Sequence, residues 1–257
     1  MKSFLVAIPA VAIAFATTAS AADMGLPMKA PAPLATPVFS WTGCYLGGNV
    51  GAGANFSSWT DSEYEGNGIG AVAGGQVGCN YQIKRLVVGI EGEFDWSGIR
   101  NRYNENYPEI GDPDYNNGSY IYSTQTQNLW DSTLALRAGF TPWDDLLIYG
   151  KVGAAWGSFK NSETCCNYSA LDPDNYSYYS GAKVVTGLVF GAGFEYAITQ
   201  NWTAKLEYEY IDYGNPSFNF AYNSQNDGTP VSGSYTTTNG QHMQIVKVGL
   251  NYLFTMR

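Results

Sequence analysis

Apolar and polar residues alternate without interruption along residues 202–210 of the chain. One parity holds Trp202, Ala204, Leu206, Tyr208 and Tyr210. The other parity holds Thr203, Lys205, Glu207 and Glu209. Because successive side chains of a β-strand point to opposite faces, this pattern predicts a strand with one apolar and one charged face. In a soluble sandwich the charged face would meet water. In a transmembrane barrel it would line the lumen, while the apolar face meets lipid.

Similar alternation recurs along the chain and predicts strands at about 41–55, 69–82, 86–97, 128–141, 146–159, 184–197, 202–213 and 243–254. The connections between these strands alternate strictly in length. Short connections fall at 83–85, 142–145 and 198–201, and long connections fall at 56–68, 98–127, 160–183 and 214–242. Transmembrane barrels separate short periplasmic turns from long extracellular loops in this way. The sequence therefore predicts an all-β fold, an eight-stranded antiparallel up-and-down transmembrane β-barrel.

In such a barrel, the polar parity of the strands defines a lumen lined by charges of both signs. Its predicted members are Glu91, Glu93, Asp95, Arg137, Lys151, Glu195, Lys205, Glu207, Glu209 and Lys247. An eight-stranded barrel has little spare interior, so these residues could form a closed ion-pair network. A selective pore is the alternative. Aromatic residues near the strand ends are expected to form interfacial girdles, namely Trp41, Tyr81, Trp96, Trp130, Trp143, Trp202, Tyr252 and Phe254.

The beginning of the chain predicts export. Lys2 precedes an apolar stretch over 4–15, and Ala19-Ser20-Ala21 provides a small-residue cleavage site, so residues 1–22 are interpreted as a signal peptide. Prolines recur over 23–39, which we interpret as a periplasmic Pro/Ala-rich linker. Residues 40–257 remain for the outer-membrane barrel.

The net charge of −9 argues against nucleic acid as a partner, because nucleic-acid binders present basic patches. Only 14% of the residues are charged, whereas glycine numbers 30 and tyrosine 20. This composition fits strands whose outer faces avoid water. About a dozen tyrosines fall in the predicted long connections, where they would suit sugar or protein binding. They could instead pack on one another along strands that continue beyond the membrane.

Four blocks of sequence carry a resemblance to a known family, at 39–51, 74–81, 87–96 and 248–254. In these blocks the chain resembles the small outer-membrane β-barrel proteins of alpha-proteobacteria, called the porin or surface-antigen family. The resemblance implies a barrel like the OmpA transmembrane domain, inserted by the barrel assembly machinery among lipid and lipopolysaccharide. It implies roles in envelope integrity, antigenicity and host contact, and some relatives are called haemin-binding. One departure is that Thr255-Met256-Arg257 follow Phe254, where the family usually ends on an aromatic residue.

The cysteines and the single histidine are the remaining candidates for chemistry. Cys44 and Cys79 flank the first hairpin almost symmetrically, which favours a disulfide between them, the alternative being two reduced thiols. Cys165 and Cys166 fall in the third long connection, where a loop disulfide or an intermolecular bridge is conceivable. His242 is a candidate haem ligand or a rim histidine. A single histidine and this cysteine spacing do not fit a usual zinc site, and we expect no metal, cofactor or catalytic centre.

The expected function is therefore that of an integral outer-membrane protein with an envelope-integrity and surface-interaction role. Two alternatives remain at the level of the sequence. One is a small, weakly selective porin that passes ions or small solutes. The other is a surface protein that binds haem or a host ligand through its loops. The oligomeric state does not follow from the sequence.

Overall fold

The computed structural model describes residues 38–59, 65–108, 119–165, 177–226 and 229–254. The predicted signal peptide and most of the predicted linker lie outside these residues, as do Cys166 and the tail at 255–257. The described residues contain no helix that is long and apolar enough to cross a membrane.

The described chain is folded into ten antiparallel strands. They are β1 Gly43–Trp59, β2 Glu65–Ile83, β3 Leu86–Ser97, β4 Arg100–Pro108, β5 Ser119–Trp143, β6 Leu146–Cys165, β7 Ser177–Ala197, β8 Trp202–Asp212, β9 Ser217–Asn226 and β10 Thr229–Phe254. Eight of them form the hydrogen-bonded ring β1-β2-β3-β5-β6-β7-β8-β10, which closes where β10 pairs with β1. The predicted eight-stranded antiparallel barrel is confirmed.

The two additional strands extend the ring at one end. β4 follows β3 after Gly98 and Ile99 and pairs with β5, and β9 follows β8 after a short break and pairs with β10 and β7. We call this end of the barrel the loop end. We call the other end, which carries the tight connections at 84–85, 144–145 and 198–201, the turn end.

The strands at the loop end are longer than predicted. β5 begins at Ser119 instead of 128, β7 at Ser177 instead of 184, and β10 at Thr229 instead of 243. These added segments are rich in Ser, Thr, Tyr, Asn and Gln, so they lack the alternation that marks a half-buried strand. The segments nevertheless continue as strands, because each forms cross-strand hydrogen bonds to a neighbouring strand that is already in register. Several tyrosines of the predicted long connections lie in strands, at positions 103, 107, 120, 122, 178 and 179, which agrees with the alternative that strands continue beyond the membrane.

The outer face of the ring is an apolar surface. Large hydrophobic side chains are exposed at alternate positions on every ring strand, as with Val88, Ile90, Phe94 and Trp96 on β3. A soluble monomer rarely exposes apolar patches larger than a few hundred Å². From Leu86 to Trp96 the strand rises ~33 Å, or about 25 Å along the membrane normal at a typical tilt of ~40°. This height matches the apolar band of an outer-membrane barrel.

A bulge in β5 explains why the inward-pointing positions of this strand change from even-numbered to odd-numbered residues. Asn128 pairs with Phe159 and Trp130 with Ser158, so Leu129 is an additional residue on β5. Before the bulge even-numbered side chains such as Asn128 point inward, and after it odd-numbered side chains such as Asp131 do so. The outward apolar band and the inward polar positions are both preserved across this point.

Glycines on the inward face make room for large interior side chains. A Cβ atom at Gly193 would lie 2.7 Å from the Tyr149 hydroxyl and 2.7 Å from the Leu206 carbonyl oxygen. A Cβ at Gly157 would lie 2.6 Å from the Tyr213 hydroxyl. Part of the high glycine content thus reflects a lumen too narrow to hold a side chain at every inward position.

We expect Gly193→Ala to lower the free energy of unfolding by about 1–3 kcal/mol, because the added methyl overpacks the interior. The matched control is Gly150→Ala on the outward face of β6, where the nearest atom to a Cβ is the Gly191 carbonyl oxygen at 3.7 Å. Urea unfolding in lipid vesicles, followed by the gel mobility of unboiled samples, measures both variants. Equal midpoints for the two variants would contradict this account of the interior.

Candidate functional site

The middle of the lumen holds a layer of charged side chains, which we call the charged layer. The ten lumen charges predicted from the sequence all point inward and are between 0 and 4% exposed. They come from β3, β5, β6, β7, β8 and β10, so the layer connects strands around most of the ring. Removing a charge from water costs several kcal/mol unless it is paired and hydrogen-bonded. The stability of the fold therefore depends on the ion pairs and hydrogen bonds inside this layer.

Arg137 forms the side of the charged layer nearest the turn end. Its Nη2 lies 2.7 Å from Glu195 Oε2, and its Nη1 lies 3.2 Å from Glu91 Oε2 and also contacts the Tyr45 hydroxyl. The guanidinium carbon lies 3.9 Å from the centre of the Tyr149 ring, a close cation–π contact. A planar guanidinium suits this site because it can bond two carboxylates in its plane while stacking on an aromatic face.

Three lysines occupy the centre of the charged layer. Lys151 Nζ lies 2.6 Å from Glu93 and 2.9 Å from Glu207, and it also contacts Glu91 and Glu209. Lys205 Nζ lies 2.8 Å from the other oxygen of Glu93. Each ammonium is thus shared by several carboxylates.

Lys247 completes the lysine group on the side toward the loop end. Its Nζ lies 2.7 Å from Glu209, 3.0 Å from Glu93 and 3.0 Å from Asp95. Carboxylate groups such as Glu93, Asp95 and Glu209 are close enough together to hold a metal ion. Here the lysine ammonium groups take the positions that such an ion would need.

The predicted layer contains six carboxylates and four cations, and neutral donors contact the carboxylates as well. The Tyr149 hydroxyl donates to Glu207 over 2.6 Å, and the Tyr45 hydroxyl donates to Glu91 over 2.6 Å. Glu195 accepts hydrogen bonds from the Thr203 hydroxyl at 2.6 Å and the Asn251 amide at 2.8 Å. These donors join the ion pairs into one network with the hydrogen bonds that buried charges require.

Sequence reasoning missed several members of this network. Gln76 donates to Asn251 over 2.7 Å and accepts from Asn49, which also donates to Asp95 over 2.9 Å. Nearer the loop end, the Tyr213 hydroxyl and the Asn128 amide both donate to the carboxylate of Asp131. Asp131 is 2% exposed. Inward parity was the available signal for these residues, but a neutral amide or a tyrosine at such a position does not reveal its partner.

Clusters of buried apolar side chains lie on both sides of the charged layer. At the turn end, the buried cluster consists of Phe39, Trp41, Tyr45, Val87, Leu147, Tyr149 and Leu253. Toward the loop end, a larger cluster consists of Val72, Ile99, Ala135, Ala155, Phe159, Val185, Val189, Ile211, Tyr213, Phe218, Met243 and Ile245. The charged layer therefore lies between two clusters of buried apolar side chains.

Trp41 belongs to the turn-end cluster, so its predicted place in the outer girdle was wrong. It is 1% exposed, packs edge-to-face on Phe39, and donates from its indole nitrogen to the Asp144 carbonyl oxygen over 3.2 Å. The residue precedes β1, and the alternation of a strand therefore does not determine its direction. Other predicted girdle residues do face outward. Trp202, Tyr252 and Phe254 form consecutive edge-to-face contacts near the turn end.

The structure places the cysteine and histidine candidates on the outward face. Cys44 and Cys79 are facing residues of β1 and β2 and are joined by a disulfide. His242 faces outward near the loop end, where its ring stacks on Phe56 at 5.1 Å between centroids and lies 5.9 Å from that of Tyr210. It is thus part of an aromatic band and not of the lumen. Cys165 ends β6, its side chain is not described, and Cys166 lies outside the described residues.

A closed antiparallel ring with an apolar outer band, aromatic girdles and a polar, filled interior defines a transmembrane β-barrel of the outer-membrane class. A family model for the outer membrane protein β-barrel domain matches residues 9–254. The chain belongs to this family, and it is an outer-membrane protein.

Curated relatives agree with this assignment along almost the whole chain. The 31 kDa outer-membrane immunogenic protein of Brucella melitensis is 32% identical over 99% of this chain and 100% of its own length. The 22 kDa outer membrane protein of Rhizobium leguminosarum is 28% identical over 85% of this chain and 80% of its own. Among solved structures, Ail of Yersinia pestis is 15% identical, covering 82% of this chain and 99% of its own, with a TM-score of 0.34.

The charged layer should be essential to stability. We expect Lys247→Met to destabilise the barrel by about 3–5 kcal/mol, because Asp95 loses its ion pair and Glu93 and Glu209 each lose one of the cations that they contact. Adding Glu209→Gln should recover part of the loss, since the double variant has one fewer uncompensated charge. Arg85→Met, at an exposed turn position, is the control and should change stability by less than about 0.5 kcal/mol. Chemical unfolding in vesicles compares these variants and Glu209→Gln alone with the wild type; additivity of the two lumen substitutions would refute the coupling.

The disulfide between Cys44 and Cys79 leads to a separate prediction about how these cysteines react with alkylating reagents. In protein denatured without reductant, Cys44 and Cys79 should resist alkylation, and both should react after reduction. Peptide mass spectrometry reads each cysteine individually, so Cys165 and Cys166 do not confuse the result. Modification of Cys44 or Cys79 before reduction would show that the bond does not form in the exported protein.

Proposed function

We propose that the protein is a non-conducting outer-membrane barrel that contributes to envelope integrity and presents its loop end to the exterior. The observation that carries this proposal is the filling of the lumen. A conducting pore needs a continuous polar path, and rings of side chains or carbonyls line such paths. Here the charged layer is enclosed by apolar clusters on both sides, and its cations are bonded to carboxylates within the layer.

The surface role is supported by the length of the strands at the loop end. β5, β6, β7 and β10 each have between 20 and 26 residues, well beyond the ~9–11 residues needed to cross the membrane. The excess extends the sheet beyond the bilayer. The Brucella relative is named an immunogenic protein, which fits a chain of this architecture that exposes such an extension at the cell surface.

We also propose that the protein is not an enzyme. The lumen carboxylates, which could in principle perform acid–base chemistry, are held in ion pairs and are 1–4% exposed. His242 lies in an outward aromatic band, stacked on Phe56.

Conductance in planar bilayers tests the closed lumen. We expect the reconstituted wild-type barrel to give no steady unit conductance under conditions in which a known porin gives clear steps. Lys151→Gln and Glu207→Gln, which alter the centre of the charged layer, are compared with Arg85→Gln at the exposed turn. A steady conductance that changes with the lumen substitutions but not with Arg85→Gln would favour the porin alternative and overturn the proposal.

A further inference from the structure

Basic side chains are grouped on one part of the outer face near the loop end. Arg100 of β4 faces Gln127 of β5, and Gln127 in turn faces Lys160 of β6. One step further out, Arg102 faces Gln125 and donates to its side-chain oxygen over 3.0 Å. We call Arg100, Arg102 and Lys160 the basic patch. All three are exposed.

The patch is unusual in a chain with a net charge of −9 and only 13 lysines and arginines. Four of these cations are used inside the charged layer. Among the described residues, no ion pair joins Arg100, Arg102 or Lys160 to a carboxylate. Their facing partners on β5 are neutral glutamines, and Glu163 on β6 has the opposite parity from Lys160. Within the described structure, the patch is thus positive charge without an internal counter-charge.

The patch lies immediately beyond the apolar band. On β3, which precedes β4, and on β5, which pairs with β4 and β6, the outward side chains next toward the membrane are Trp96, Leu129 and Trp130, of which Trp96 is 66% exposed. Trp96 and Trp130 face each other across β3 and β5. Aromatic girdles mark the level of the lipid headgroups. The basic patch is therefore at headgroup height, and its outward direction places it against lipid and not against the lumen.

An apolar groove runs along the outer face below the patch. Gly75 of β2 and Gly92 of β3 have no side chains to fill it, and Val77, Phe94, Leu134 and Trp156 form its walls. A Cβ at Gly92 would meet nothing closer than 3.9 Å, so this floor is open. Gly92 precedes Arg100 by eight positions, or ~26 Å along the strand. An acyl chain in the groove would bring its headgroup toward the patch.

We propose that the basic patch binds the phosphate groups of lipopolysaccharide in the outer leaflet, with an acyl chain lying in the groove over Gly75 and Gly92. Two arginines at successive outward positions suit phosphate, because a guanidinium bonds its oxygens in a bidentate manner. The loop end is the extracellular end in barrels of this kind, so the patch faces the leaflet that contains this lipid. The inference goes beyond the proposed function, since a closed lumen does not require a lipid site.

Binding of fluorescent diphosphoryl lipid A to the full-length barrel in detergent micelles tests the site. We expect Arg100→Gln/Arg102→Gln to bind about tenfold more weakly than wild type, because two charge-assisted contacts are lost. The matched control is Lys84→Gln/Arg85→Gln, which removes two cations at the turn end and should bind as wild type does. All proteins should keep the heat-dependent gel shift of a folded barrel. If the double variant fails to fold, Lys160→Gln alone provides the comparison.

Competing ligands identify which chemistry the patch recognises. Dephosphorylated lipid A should bind wild type about tenfold more weakly and should not distinguish wild type from the patch variant. Equal binding of the phosphorylated lipid by wild type and patch variant would overturn the proposal. So would equal affinity of wild type for the two forms of lipid A. Competition by inorganic phosphate or phosphatidylglycerol vesicles as strong as that by lipid A would also overturn it, by showing only a general attraction of anions.

Discussion

The structure depends on pairing the charges that an eight-stranded barrel encloses. Glu93 illustrates the constraint, because it is 4% exposed and its two oxygens lie within 3.0 Å of Lys151, Lys205 and Lys247. These four residues come from four different strands of the ring. A slip of one residue in any of those strands would turn its charged side chain toward lipid and leave its partners buried and uncompensated. The charged layer thus destabilises alternative strand registers, and it also holds the strands together.

The same constraint explains where small residues lie. A narrow lumen cannot contain Tyr149, Lys151 and Arg137 at one level and also a side chain at every neighbouring inward position. Gly191 and Gly193 on β7 provide the space beside Lys151 and Tyr149. On the outer face, where lipid can adapt its shape, glycines such as Gly92 leave open grooves instead. Inward glycines therefore make room for large interior side chains, whereas outward glycines leave grooves on the lipid-facing surface.

Strand number, antiparallel order and the inward charges could be predicted because alternation is set by two contrasting solvents, lipid outside and a polar interior inside. The prediction failed where that contrast ends. β5 and β10 continue well beyond the predicted strands, and there even buried inward positions such as Thr126 and Gln241 are polar, so the alternation of apolar and polar residues is lost. Trp41 was misplaced because it lies before the first strand, and the neutral network of Asn49, Gln76 and Tyr213 depends on contacts between distant strands. No local pattern encodes such contacts.

Filling the lumen also limits where the barrel can meet a partner. A barrel that uses Arg137 and its three buried lysines to stabilise its own interior cannot offer those cations to a ligand. Recognition is then left to the outer belt and to the extension at the loop end. Arg100, Arg102 and Lys160 are cations at the junction of these two surfaces, and within the described structure they are not paired with a carboxylate. The buried cations of the charged layer therefore maintain the fold, whereas those of the basic patch are available for binding.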